Sequence, residues 1–230
     1  NDLAFMDIFK FLGSAAFPEK SGNLKPENAT LTEWSKSGAE FLVKAGVTLE
    51  GGNVALEGYL YDTAGNKRVL GKRFVARQAD ARTLAHTFAN NIVNSLTGLP
   101  GIFLTKIAMS CERYGRKEIY VMNFEGTDIK QVARHGSIAF GPAWSPDGSK
   151  IAYSLFTKHR NIKNIDLFES DFGSSSYRLI SNRKNINSGA AYSPDGRKIA
   201  LTMNFLGNPE IFTIEPGSGN AVLVTKSLGF

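Results

Sequence analysis

The sequence predicts an α+β amino-terminal domain over residues 1–100, then an all-β partial propeller of three repeats over residues 101–230. Three observations carry this. Ser145-Pro146-Asp147-Gly148 returns as Ser193-Pro194-Asp195-Gly196, flanked by Ala143-Trp144 or Ala191-Tyr192 before it and Lys150-Ile151-Ala152 or Lys198-Ile199-Ala200 after it. A tetrapeptide that recurs in one frame marks a structural repeat. Near residue 40 the apolar spacing changes from helical to alternating. Leu84, Phe88 and Ile92 then restore a helical stripe, closed by Gly98.

At the start of the chain, Leu3, Phe5, Met6, Ile8, Phe9 and Leu12 recur at helical spacing before Gly13, which predicts a helix over 2–12. Residues 13–30 are rich in Gly, Ser, Pro and Asn and predict a loop. A short helix follows, from Thr32 to a stop at Gly38. Strands are expected over 40–49, 54–61 and 68–76, joined at Gly51-Gly52 and at Ala64-Gly65-Asn66, as a meander. Asp80 is placed to cap the next helix, whose stripe should cover the meander's apolar face. His86 lies beside that stripe and is expected at a polar edge, since no carboxylate or second ligand sits one turn away.

In the second part, Ile107-Ala108-Met109-Ser110, Ile151-Ala152-Tyr153-Ser154 and Ile199-Ala200-Leu201-Thr202 align at spacings of 44 and 48 residues. Each is followed by a second strand (118–124, 164–169, 210–214) and a third (129–133, 177–180, 221–225), with glycine in the turn between them. Short strands at this period describe propeller blades. A blade is covered only by its neighbours, which accounts for apolar Trp144, Tyr153, Tyr192 and Phe212 without a helix to bury them. The first repeat lacks a Ser-Pro-Asp-Gly strand, so its innermost strand is expected to be absent or supplied elsewhere. Within the repeated turn, proline presets φ and glycine takes the left-handed exit. Asp147 and Asp195 are therefore expected to serve the turn rather than to bind a cation.

Residues 1–100 carry 11 Lys/Arg and 10 Asp/Glu, and residues 101–230 carry 16 and 11, so the net charge of +6 belongs mostly to the second part. The basic run Lys158-His159-Arg160-Asn161-Ile162-Lys163, with Arg183-Lys184, falls in inter-strand loops. It lacks interleaved aromatics for base stacking, which argues against nucleic acid. The single cysteine, Cys111, excludes an intrachain disulfide and is expected to be a small buried strand residue. No apolar run approaches the ~20 residues of a membrane-spanning helix. The chain begins at Asn1, as a processed or trimmed chain would. No Gly-x-Ser-x-Gly elbow, phosphate loop or dinucleotide fingerprint is present, and His86, His135 and His159 stand far apart. Catalytic residues, metal ligands and cofactors are accordingly expected to be none.

Tyr59-Leu60-Tyr61-Asp62-Thr63-Ala64-Gly65, the helix end Leu96-Thr97-Gly98, Gly101–Ala108 and Gly141–Tyr153 together resemble the TolB family. The resemblance covers the chain from about residue 40, and residues 1–39 more loosely. It implies part of a six-bladed propeller and a non-enzymatic periplasmic adaptor of the Tol–Pal system, serving outer-membrane integrity and cell division. The implied partners are the lipoprotein Pal, through which the adaptor associates peripherally with the outer membrane, then TolA, and for some members colicins. Pal would be met by the loops that open each repeated inner strand: Ala139, Phe140 and Gly141 in one repeat, and Ile186, Asn187, Ser188 and Gly189 in the next. Relatives often carry histidine at the position of Ile186. The TolA-binding segment, a first strand of the small domain and about half of the propeller would lie outside these residues. The alternative is the propeller of a prolyl-oligopeptidase-like serine peptidase whose catalytic domain lies elsewhere.

Overall fold

The computed structural model describes residues 2–19, 23–113, 115–174 and 176–226. The chain divides into two compact units, Asn1–Thr105 and Lys106–Phe230. Among the described residues no helix is long and apolar enough to cross a membrane.

The N-terminal unit is built on a meander of β1 (Phe41–Glu50), β2 (Asn53–Asp62) and β3 (Lys67–Arg77), all antiparallel and in the order β1-β2-β3. The alternation sends the two faces of β2 to different partners. Val54, Leu56 and Leu60 meet Leu84, Phe88 and Ile92 of α3 (Ala81–Thr97). Tyr59 and Tyr61 meet Leu31 and Trp34 of α2 (Asn28–Lys36) on the other face. Helices therefore cover both faces of the sheet, and the predicted strands and the long helix are all present.

The differences concern ends and starts. α1 spans only Asp2–Phe5, not residues 2–12. Leu3 packs into the α3 core, whereas Ile8, Phe9, Phe11 and Leu12 line a groove of about 1050 Å³ along β1. The groove is lined by Ile92 and Leu96 of α3 as well as by β1, and the residues after Phe5 follow it without continuing the helix. α2 starts at Asn28, so Thr32 lies inside it and its hydroxyl donates to the Asn28 carbonyl at 3.0 Å. Asp80 makes no side-chain cap, because a 3₁₀ turn over Gln78–Asp80 aims its carboxylate back at Arg77 Nε, 3.0 Å away. His86 is buried rather than at a polar edge, and its Nδ1 lies 2.6 Å from Asp2 Oδ2. That carboxylate comes from 84 residues upstream, so no local pattern announces it.

The C-terminal unit holds three antiparallel sheets. The first is β4 (Lys106–Arg113), β5 (Arg116–Asn123) and β6 (Lys130–Gln131). The second is β7 (Ala139–Trp144), β8 (Lys150–His159), β9 (Ile162–Asp171) and β10 (Tyr177–Ser181). The third is β11 (Asn187–Tyr192), β12 (Ile199–Met203), β13 (Glu210–Ile214) and β14 (Ala221–Leu223). Among the described residues the first sheet is one strand short, as its missing Ser-Pro-Asp-Gly element implies. Cys111 in β4 is half-buried rather than enclosed.

Stacking buries what the sheets alone would expose. Ile119 and Val121 of the first sheet pack with Ala139, Ile151, Tyr153 and Leu155 of the second. Ala152, Leu167 and Ile180 of the second pack with Ile199, Leu201, Phe212 and Ile214 of the third. This is partial propeller architecture: each sheet's apolar face is completed by its neighbour.

Candidate functional site

Both Ser-Pro-Asp-Gly segments are closed hairpin corners. The Ser145 carbonyl accepts the Gly148 N–H at 2.9 Å, and the Ser193 carbonyl accepts the Gly196 N–H at 2.8 Å. Ser145 Oγ donates to Asp147 Oδ1 at 2.6 Å and accepts the Lys150 N–H at 2.9 Å. The Ser149 N–H and hydroxyl complete the set on Asp147, at 3.0 and 2.8 Å. These donors, the Ser145 hydroxyl first, hold the Asp147 carboxyl down to about 2. Asp195 is lowered in the same way, chiefly by Ser193. Each carboxylate is a fixed acceptor inside its turn, with no proton to give near neutral pH.

Between the two corners lies a cleft of about 610 Å³. Its floor is the buried Glu169, which accepts Arg178 Nη2 at 2.6 Å, Arg178 Nε at 2.8 Å and the Tyr192 hydroxyl at 2.8 Å. Lys150 Nζ stands 3.5 Å away. Glu169 belongs to β9 and Tyr192 to β11, so the group ties the second sheet to the third. Burial first, and then the bond to Glu169, pushes the Tyr192 hydroxyl far above its usual range.

The candidate partner face is at the other end of the strands. There β7 and β11 begin, and β8 turns into β9. The loop before β7 is pinned by Glu118, whose buried Oε1 accepts the His135 and Gly136 N–H groups at 2.9 and 2.7 Å. His135 Nε2 meets the Tyr153 hydroxyl at 2.9 Å, and its ring sits against Tyr177 and Phe168. The loop before β11 is pinned by Asn187. Its Nδ2 donates to the carbonyls of Ile165 and Arg183, at 2.8 and 2.6 Å, and its Oδ1 accepts from Ser181 Oγ at 2.6 Å.

The seven residues expected from the sequence fall into three kinds. Ala139 and Asn187 are fully enclosed, so they offer no side-chain surface to a partner and instead seat the strand starts. Gly141 and Gly189 have φ of +62° and +70°. Both occupy the register shifts of β7 against β8 and of β11 against β12, which makes them bulge glycines. The offset was visible in the sequence, since each stands four residues before the serine of its corner. Phe140, Ile186 and Ser188 are partly exposed and free to meet another molecule. Phe140 is backed by Phe156, with ring centroids 5.6 Å apart. Sequence reasoning missed the pinning residues Glu118 and Asn204, the latter accepting the Ile186 N–H at 2.8 Å.

The basic run forms the β8–β9 hairpin at this same end. Arg160 and Asn161 take φ of +47° and +71°, the left-handed pair of a two-residue type I′ turn. The side chain of His159 lies outside the described residues. Lys158 and Lys163 face each other in register and are exposed, as is Arg160 at the tip.

The family model of the TolB amino-terminal domain matches residues 1–69, and that of the TolB beta propeller domain matches residues 93–230. The Tol-Pal system protein TolB of Desulfosudis oleivorans is 35% identical over 159 residues, which is 68% of this chain and 36% of that protein. The TolB homolog of Chlorobium luteolum is 28% identical over 228 residues, 99% of this chain and 51% of its own. The crystal structure of TolB from Acinetobacter baumannii shares the fold, with a TM-score of 0.78 and 22% identity, over 92% of this chain and 54% of that one. The chain thus spans between about a third and about a half of the length of these relatives. With a matching propeller model over more than half its residues, and the corners and stacked sheets described above, the chain belongs to the TolB family of the Tol–Pal system.

Proposed function

We propose that this chain is part of a non-enzymatic periplasmic adaptor, whose propeller end bearing Phe140, Ile186 and Ser188 binds the lipoprotein Pal. The observation that carries the reading is the pair of bulged inner strands. Each is anchored by buried polar bonds immediately behind partly exposed loop residues. A rigid frame with short outward loops suits docking of a folded partner, since little ordering entropy is lost on binding. The repeated aspartates, spent inside their turns, add nothing toward turnover chemistry. TolA would be a second partner, some colicins would exploit its site, and association with the outer membrane would be peripheral, through Pal. The adaptor would serve envelope integrity during division.

The test is a titration of the full-length protein with Pal, followed by amide resonances. The expected result is shifts at Phe140, Ile186, Ser188 and Gly189, and a loss of roughly tenfold or more in affinity for Phe140→Asp, the size of an interface hot spot. Pal bound with these resonances unmoved would sink the assignment.

A further inference from the structure

The two ends of the C-terminal unit differ in charge. Segments 112–118, 134–141, 156–163, 182–189 and 204–210, at the Phe140 end, hold nine Lys/Arg and three Asp/Glu. Of those acids Glu118 is buried and already committed to backbone N–H groups. Segments 123–130, 145–150, 171–176, 193–198 and 215–220, at the corner end, hold four Lys/Arg and six Asp/Glu. The net charge of the whole chain is therefore concentrated at one end of one unit.

The cations there are poorly compensated. Lys158 and Lys163 stand directly opposite each other across β8 and β9, an arrangement that like charges disfavour. Arg160 holds a left-handed backbone at the tip, where asparagine or glycine would fit with less strain. Among the described residues, none of Lys158, Arg160, Lys163 and Lys184 forms an ion pair. A hairpin that keeps both costs without an internal counter-charge is built for an external one. Exposed Ile162 lies beside the cations, and exposed Phe156 backs Phe140. An apolar centre with a charged rim is the composition of a protein interface. The aromatic rings here face each other rather than standing free to stack on bases.

We infer that this end recognises an acidic protein surface, with the β8–β9 hairpin as its electrostatic guide. The inference rests on the reading that Phe140 and Ile186 mark the partner face, and it names the chemistry of the surface they meet. Cations on a rim act mainly through the rate of encounter, so the association rate carries the effect and salt removes it.

The experiment measures association and dissociation of Pal with the full-length protein at low and high salt. Three variants are compared: Lys158→Glu with Lys163→Glu, Arg160→Gly, and Lys130→Glu with Lys198→Glu at the opposite end. Arg160→Gly keeps the turn geometry, so it reports even if the double reversal disturbs folding. The expected result is an association rate lowered about tenfold or more by the double reversal, less by Arg160→Gly, and unchanged by the corner-end pair, with the differences gone at high salt. Binding lost in Phe140→Asp but untouched by the hairpin variants would overturn this inference and leave the partner face standing. Binding indifferent to both sets would overturn both. Anionic phospholipid vesicles that hold the parent protein but not the hairpin variants, with Pal kinetics unchanged, would also overturn it and assign the cations to lipid.

Discussion

Asn187 looks, in a sequence, like a loop residue offered to a partner, and its surroundings make it a structural bolt. It is fully buried and its amide makes three hydrogen bonds of 2.6–2.8 Å, two of them to backbone carbonyls, of Ile165 in β9 and of Arg183 in the loop after β10. Asn187→Ala removes all three and takes from the Ser181 hydroxyl its oxygen acceptor, leaving it Met203 Sδ at 3.7 Å. A stability loss of about 2–4 kcal/mol is expected, read as a lower denaturation midpoint. Ser188→Ala, on the partly exposed neighbour, should leave stability within about 0.5 kcal/mol. Equal losses for the two would show that Asn187 is not the anchor. The bulge glycine permits a graded test. Gly141 has open space around its Cβ position, so only its backbone matters. Gly141→Ala should cost about 1–2 kcal/mol, the penalty of left-handed backbone for an L-residue, and Gly141→Asn clearly less. If the alanine and asparagine variants melt together, the bulge geometry is not what selects glycine.

At the scale of elements, the sheets are joined by apolar stacking and by polar bonds, among them a clasp on Glu169. Tyr192 of β11 donates to Glu169 of β9, and Arg178 of β10 supports the same carboxylate. Tyr192→Phe deletes a bond to a charged group and should cost roughly 1.5 kcal/mol, since Arg178 still compensates Glu169. Combined with Glu169→Gln the two losses should be non-additive, and a double-mutant cycle summing without an interaction energy would dissolve the clasp. These elements also show what a sequence makes legible. The corners, the alternating strands and the α3 stripe are written in neighbouring residues, so period and turn chemistry found them. The reach of α1 was not, because Leu3 and Phe11 carry equal apolar weight in the sequence. Which of them gains a helical neighbour depends on α3 and β1. The pairing of Asp2 with His86, the hold of Glu118 on the His135 N–H and the bond of Asn187 to the Ile165 carbonyl join residues 17–84 positions apart. Such bonds leave no periodic trace. For the candidate site, the sequence marked the loops before β7 and β11, but it could not tell their partly exposed residues from the glycines and anchors that hold them.

Across the whole molecule, the groups that folding shifts act in two pH windows. In the C-terminal unit His135 is half enclosed by Tyr153, Phe168 and Tyr177, and burial lowers its pKa below 6.5 while the nearby Glu118 carboxylate opposes the shift. The folded unit therefore keeps the imidazole neutral where the unfolded chain takes up a proton. Its stability must fall as pH drops below about 6.5, and level off only once the folded-state value is passed. Asp147 and Asp195 act in a second window. Both are lowered from 3.8, Asp147 to about 2, so their contribution is complete above about pH 4 and is lost as pH falls toward 2. In the N-terminal unit the shifted carboxyls Glu19, Glu50 and Glu57 are lowered from 4.5, through their bonds to Lys44, Arg73 and Tyr59 first, and they add to the acid window. The two tryptophans separate the units, Trp34 in the first and Trp144 in the second. In a Trp34→Phe chain, the urea midpoint followed through Trp144 should fall between about pH 7.5 and about pH 5.5. His135→Gln should abolish the first slope and leave the loss below about pH 4 intact, because the corner aspartates are untouched. A slope that persists in His135→Gln would place the proton uptake elsewhere than in the aromatic enclosure around His135.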